Sequence, residues 1–416
     1  MNSPVRPQIQ LPLRFNEIAL VVAILVVVTI TATVDSNHSY LYEPGTSFRD
    51  IARNVALLGI FALGAAVVII AGGIDLSAGS VIAFSGTICA TTMMLLAPDE
   101  IGKMQPVGLG VAACGVGAAI TSGFLVGTLH AWLITSVRLP PFVATLATLV
   151  GLRSFARALC GYITAKTLGG SGNTEINVYG GCFKFVREHV SIYCAVFVLL
   201  AAFTWLLLSR TVLGRHIFAL GGNEQAARLS GIHTDSVKWF AYCFSAMTAS
   251  IAGVFYVADQ SVASPVTQGI GYELNAIAAA VVGGCSLQGG VGTLPGIILG
   301  VIFLRVVIDS VAKLIKSGSD IYEGMIVGVV VVLAVTFSQL QQLRTSGREL
   351  FPGVMGTIAI PLLSGGIGLI TAMTIANVPY LKGSDVWIGA AIGLLMLAAM
   401  SLVKYVEYQR SRKHVG

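Results

Sequence analysis

The sequence predicts an all-α, polytopic membrane helical bundle, and three observations carry that prediction. Of 416 residues, 55% are hydrophobic and only 11% are charged, whereas soluble domains carry roughly 25% charged residues. Apolar runs of about twenty residues recur along the chain, the length an α-helix needs to cross a hydrocarbon core. Short polar breaks rich in glycine or proline separate those runs. The count is about ten core transmembrane helices, one of them broken or re-entrant, plus two extra spans at the C-terminal end. The seven cysteines include no Cys-x-x-Cys pair, and most lie in apolar runs, where Cys acts as a small hydrophobe. A net charge of +6 fits a basic bias of cytoplasmic loops better than a nucleic-acid surface.

Residues 1–16 form a polar tail with Arg6 and Arg14. The run from 18 to 34 is too long for a signal-peptide core and lacks a small-residue cleavage site, so it reads as an uncleaved first span. After a polar loop, a second span covers about 54–72. Gly72-Gly73 then breaks the helix, and Asp75 or Ser77 caps the next, from about 78 to 97. A second role is open to Asp75: lining the inner mouth of a pathway. The fourth run, about 107–136, holds Gly123-x-x-x-Gly127, a spacing that lets helices approach closely. Arg138-Leu-Pro-Pro141 ends it at a turn. The fifth span, about 142–161, carries Arg153 and Arg157 one turn apart. A charge at mid-bilayer costs roughly 2.5–3.5 kcal/mol on insertion scales. These arginines therefore either snorkel outward or face a polar pathway. Thr164 to Glu188 is the largest outer loop; Cys160 just before it and Cys182 near its end either pair or stay free. A sixth span covers about 190–208.

The stretch from Thr211 to Ile232 is polar yet reads as folded. Gly221-Gly222 breaks the chain. Asn223 is a good N-cap, because its side chain accepts a free backbone N–H. Glu224 stands in the first turn, where the positive end of the helix dipole favours an anion. Residues Gln225 to Leu229 are good helix formers, and Gly231 suits a left-handed C-terminal cap. The product is a short, self-capped helix roughly 12 Å long. It either only orders an interfacial loop or docks a cytoplasmic partner.

A seventh span, about 237–257, leads through an outer loop to Gln268. The helical piece from Leu274 to Val282 then spans only roughly 14 Å, against a bilayer core about 30 Å thick. It is a broken or re-entrant element, and such backbone is tolerated only where protein or a water-filled cavity satisfies its polar groups. Gly283, Gly284, Gly289 and Gly290 are thus candidates for a moving, pathway-facing part, with close glycine packing as the plainer alternative. The ninth span opens on Gly292-x-x-x-Gly296-x-x-x-Gly300, a smooth packing face. Further along it, Arg305 and Asp309 are placed to pair. A tenth span covers about 321–338, and two more runs cover about 351–376 and 386–403. Over twelve crossings, the inner segments hold twelve Lys and Arg residues and the outer segments eight. That bias puts both termini and the Thr211–Ile232 stretch in the cytoplasm.

No Gly-x-x-x-x-Gly-Lys-[Ser/Thr] occurs, so the chain does not cradle ATP phosphates in the P-loop manner. The histidines show no metal spacing, and no Ser/His/Asp arrangement stands out, so no catalytic, cofactor-binding or metal-binding residue is assigned. Among the acids only Asp309 reads as deep in the membrane. A proton- or ion-driven carrier buries ionisable residues as its relay. Their scarcity argues that energy arrives from outside the chain, at the self-capped helix. An ATPase-independent channel or secondary transporter, and a membrane scaffold that recruits a partner, are the competing readings.

Four stretches resemble the transmembrane permease subunit of a bacterial ABC importer, ribose/monosaccharide branch. They are Gly72 to Ser80; Leu139 to Leu146 followed by Arg153; Gly214-Arg215 through Gly222-Asn223, Ala226-Ala227 and Gly231-Ile232; and Gly271 to Leu274 with Ala278-Ala279 and Gly283 to Gly292. The resemblance covers roughly residues 15–345. It implies a cytoplasmic tail (1–16), a permease domain (17–345) with a coupling segment at 210–232, and a C-terminal extension (346–416) outside the family pattern. It also implies a multi-pass protein of the bacterial inner membrane that dimerises with a second permease copy or homologue. A separate ATPase subunit, which holds ATP and Mg²⁺, would dock on Gly214, Arg215, Gly222, Asn223, Glu224, Ala226, Ala227 and Gly231. An extracytoplasmic binding protein would deliver a sugar or sugar-like solute. Asp75, Arg153 and the Gly283–Gly292 loop are the pathway candidates.

Overall fold

A computed structural model describes residues 15–35, 37–169, 172–314, 324, 327–329, 332, 353–376 and 383–415. The Arg6 and Arg14 tail, most of the expected tenth span and Arg344 and Arg348 lie outside the described residues. In chain order the helices are α1 (Phe15–Val34), α2 (Ser39–Tyr42), α3 (Pro44–Ile70), α4 (Ala78–Leu96), α5 (Pro98–Gly102), α6 (Leu109–Thr135) and α7 (Pro141–Leu168). Strand β1 (Ile176–Asn177), α8 (Gly181–Glu188), α9 (Val190–Arg210), α10 (Val212–Gly222), α11 (Glu224–Leu229) and α12 (Thr234–Gln260) follow. Then come β2 (Val262–Ala263), α13 (Tyr272–Val282), α14 (Leu294–Leu314), α15 (Gly353–Ala376) and α16 (Asp385–Val415). Ten of these helices are long and apolar enough to cross a membrane. With 11 residues, α13 reaches only about 16 Å and remains the short element expected.

The chain divides into two compact units, one of Met1–Thr29 with Tyr40–Val307, the other of Ile30–Ser39 with Ile308–Gly416. In the first, α12 and α3 form the centre, and small residues let their neighbours close on them. A Cβ on Gly64 of α3 would lie 2.7 Å from the Ser245 Cα of α12. One on Gly127 of α6 would lie 2.5 Å from the Cys243 Cα. The Gly123-x-x-x-Gly127 face therefore packs on α12. The Gly296 and Gly300 face of α14 packs on α13: a Cβ on Gly300 would stand 2.1 Å from the Ala279 carbonyl oxygen. In the second unit α15 and α16 form a hairpin closed by glycine, with Gly389 facing the Gly368 carbonyl. Both C-terminal spans are thus helices. Asp309 pairs with Lys313 at 2.5 Å instead of with Arg305, consistent with the preference for an acid N-terminal to its base at this spacing.

Helix α3 begins at Pro44, ten residues before the apolar run. Proline suits the first turn, where its missing N–H has no intrahelical partner anyway. With 27 residues, α3 is about 40 Å long and sets the two ends of the first unit. The loops read as outer meet at its Arg49 end. There β1 pairs antiparallel with β2, Arg53 pairs with Asp259 at 3.4 Å, Arg187 donates to the Ser261 hydroxyl at 2.6 Å, and Ser264 donates to Glu175 at 2.7 Å. The loops read as inner meet at its Ile70 end. Cys160 and Cys182 both stand as free thiols.

Candidate coupling surface and re-entrant element

At the Ile70 end, the stretch from Thr211 to Ile232 folds as two helices rather than one. The sequence shows only the second, because α10 mixes Arg215 and His216 into an apolar run. Thr211 caps α10, its hydroxyl accepting from the Gly214 amide at 3.0 Å. Gly214 is required for contact: a Cβ would sit 2.2 Å from the Leu207 carbonyl oxygen of α9. Gly221 and Gly222 form the last turn of α10, so the break falls at Asn223, whose backbone is extended. The Asn223 side chain accepts from the Ala226 amide at 3.0 Å, as an N-cap should. At the other end Gly231 has φ +85°, and the Ile232 amide reaches back to the Ala227 carbonyl at 3.1 Å. That is the glycine-dependent C-terminal cap.

A charged cluster holds α11 on the start of α12. Glu224 accepts from Lys238 at 2.6 Å, and Arg228 reaches Glu224 and Asp235, both at 3.5 Å, and Thr234 at 3.1 Å. Ala227 is buried beneath, while Arg215 and Ala226 face outward. Leu229 is 90% exposed. The bare leucine thus stands at the tip of a polar helix that its charges seat on α12. In the sequence Leu229 is only a helix former, since nothing local says which way it points.

Beside α11 opens a cleft of about 570 Å³ lined by Gly72, Gly73, Arg138, Leu139, Gly221, Glu224, Arg228, Lys238, Tyr242 and Gln288. Gly72, Gly73 and Gly221 line it, and Gly289-Gly290, far away in sequence, pack against Gly72 and the Gly221-Gly222 pair. The Gly290 amide donates to the Ile70 carbonyl at 2.8 Å. A Cβ on Gly221 would lie 1.9 Å from that same carbonyl oxygen and 2.4 Å from the Gly290 nitrogen. One on Gly289 would lie 2.7 Å from the Gly72 Cα. Gly289 and Gly290 have φ +89° and +72°, a region in which side chains are strained. Gly283 belongs to a different contact, against Gly296 of α14, and Gly284 has φ +92° in the turn that leaves α13.

Asp75 is 3% exposed. Its Oδ1 accepts from the Ser77 amide at 2.9 Å and the Ser77 hydroxyl at 2.6 Å, and its Oδ2 from the Ser245 hydroxyl at 2.7 Å. It thus orders the turn into α4 and ties that turn to α12. The formal N-cap is Ser77, without a side-chain cap bond. Close by, buried His130 bonds Thr148 at 2.7 Å, so Asp309 is not the only acid or ionisable group deep in the bundle.

Arg153 sits on α7, half-buried, and donates to the Pro265 carbonyl at 3.1 Å and the Gln268 carbonyl at 2.8 Å. Those carbonyls belong to irregular chain that descends into the bundle. A Cβ on Gly269 would meet the Gly79 carbonyl in the first turn of α4. Irregular backbone at such depth must be satisfied by protein, and Arg153 does that. Buried Gln268 does the same, donating to Val262 at 2.7 Å and Gln260 at 2.8 Å and accepting from the Ser264 amide at 3.2 Å. In the sequence Gln268 marks only the end of a loop. Arg157, one turn on, is exposed. Arg153→Ala is expected to raise amide exchange across residues 264–268, read by hydrogen-exchange mass spectrometry, because two buried carbonyls lose their donor. Unchanged protection there would remove Arg153 from this role.

Comparisons with known proteins place this arrangement. The family described as branched-chain amino acid transport system / permease component matches residues 47–335. Ribose import permease protein RbsC of Escherichia coli K12 is 33% identical over 77% of this chain and 93% of its own length. RbsC of Bacillus subtilis 168 is 32% identical over 72% of this chain and 86% of its own. Galactose/methyl galactoside import permease protein MglC of Haemophilus influenzae is 29% identical over 71% and 87%. No solved structure matches the chain. The matched span runs from α3 through α14 and so takes in both the capped α11 and the re-entrant α13; the chain belongs to this family of transport-system permease components.

Proposed function

We propose that the chain is the membrane permease of an ATP-driven importer that carries a sugar or sugar-like solute inward. The sugar class is supported by the ribose and galactose permeases among its relatives. The observation that supports the ATPase coupling is α11: doubly capped, seated on α12 by ion pairs, and exposing Leu229. An ATPase subunit docks there, against Arg215, Gly222, Asn223, Glu224 and Ala226, with Gly214, Ala227 and Gly231 fixing the backbone beneath. ATP and Mg²⁺ belong to that subunit, and this chain binds no cofactor. A binding protein delivers solute at the Arg49 end, and a second permease copy or homologue completes the pathway. The protein is a multi-pass inner-membrane protein with both termini cytoplasmic. Solute passes between states that ligand and nucleotide each bias. Asp75 and Arg153 stand behind the pathway by holding the α4 turn and the re-entrant chain in place.

Purification of the tagged chain from its native membrane in mild detergent, followed by mass spectrometry, tests the reading. A stoichiometric P-loop ATPase is expected; repeated recovery of intact chain without one would contradict it. Within that complex, Glu224→Arg is expected to lower transport relative to ATP hydrolysis at least tenfold. It sets a third cation against Arg228 and Lys238 and so unseats α11. Full transport by this variant would remove Glu224 from coupling.

A further inference from the structure

We infer that Gly221, Gly72 and Gly289-Gly290 form a closed backbone joint that makes α10–α11 and the re-entrant element move as one body. This rests on the proposed docking of an ATPase at α11 and names the route by which its movement reaches the membrane interior.

Three helix ends separated by 149 and 68 positions meet in backbone-to-backbone contact: Gly72 after α3, Gly221 in the last turn of α10, and Gly289-Gly290 after α13. The Gly72 and Gly221 backbones are close enough that a Cβ on Gly72 would lie 3.4 Å from the Gly221 Cα. The Ile70 carbonyl, left without an intrahelical partner at the end of α3, accepts the Gly290 amide at 2.8 Å. With no side chain between them, these segments have no soft layer to absorb a displacement; close-packed atoms transmit it. From the joint, the chain runs back through Gly283 to α13, which is itself locked to α14 by the Gly283–Gly296 and Ala279–Gly300 contacts. A push on Leu229 therefore has a continuous rigid path through α10, the joint and the 284–290 turn to α13. Gly72 and Gly221 of the joint also line the cleft beside α11, as does Glu224 of α11 itself, so a shift of α11 is a shift of that cleft's wall.

Alanine at Gly221 must force the Ile70 carbonyl and the Gly290 amide apart, and alanine at Gly289 must do the same to Gly221 and Gly72. In the assembled transporter reconstituted with its ATPase subunit, each of Gly221→Ala and Gly289→Ala is expected to keep the ATPase bound and hydrolysing while the ratio of transport to hydrolysis falls at least tenfold. An unchanged ratio overturns the joint, and so does loss of ATPase binding, which would make these glycines part of the docking surface. Should the variants not fold, wild-type transporter decides by hydrogen exchange. The Gly290 amide is expected to stay protected equally with and without ATP, whereas exchange at free-loop rates in either state overturns a closed joint. A wild-type chain that recruits no ATPase at all refutes the coupling reading instead, which keeps the two failures apart.

Discussion

Leu229→Arg is expected to weaken binding of the ATPase subunit about ten- to hundredfold while leaving the permease folded. Moving one leucine side chain from water into an apolar site contributes about 1.5–3 kcal/mol, and each 1.4 kcal/mol is about tenfold in affinity. Leu229 touches little of its own chain, being 90% exposed, so little of the loss falls on the fold. A cation is also acceptable at the last position of a helix, where the dipole is negative. The Asn223 and Gly231 caps remain intact. Titration of the ATPase subunit onto purified permease in nanodiscs reads the effect directly. Affinity within twofold of wild type would mean that the partner does not seat on α11.

The second large effect is expected at Asp75. Asp75→Ala removes the acceptor of two hydroxyls and one buried backbone amide. The hydroxyls of Ser77 and Ser245 can turn elsewhere, but the Ser77 amide cannot. An orphaned buried donor costs about 1–3 kcal/mol, and the α4 turn also loses its tie to α12. The thermal unfolding midpoint in detergent is expected to fall by about 1–4 °C. Asp75→Asn keeps an oxygen for Ser77 and offers its amide to Ser245, whose hydroxyl can accept, so it is expected to stay near wild type in both midpoint and uptake. A stable Asp75→Asn that fails to transport would instead put the carboxylate's charge in the pathway.

What the sequence made legible was local. Asn223 and Gly231 could be read as caps because a cap is set by residues a few positions away. The shortness of α13 followed from length alone, and the glycine spacings of α6 and α14 announced close packing without naming the partner. Whatever depended on distant chain was hidden. Nothing around Gln268 says that it holds a re-entrant loop together, and nothing near Leu229 says that it is bare. The meeting of Gly72, Gly221 and Gly289 joins three loops that sequence places only on the same side. Asp309 had two partners at equal spacing, and the choice of Lys313 over Arg305 rested on helix polarity. Length misled at α3 and α7, whose polar turns extend beyond their apolar runs.

The central claim is that solute crosses this protein only when a docked ATPase turns over. Proteoliposomes carrying the chain, its ATPase subunit and its binding protein can be assayed for uptake of radiolabelled pentoses and hexoses, with ATP supplied on the ATPase side. The account predicts accumulation of at least one sugar that requires ATP, the ATPase and the binding protein together, and a return to background when any one is omitted. Equal uptake by the chain alone, without ATPase or ATP, would contradict it and make the protein a channel or secondary carrier.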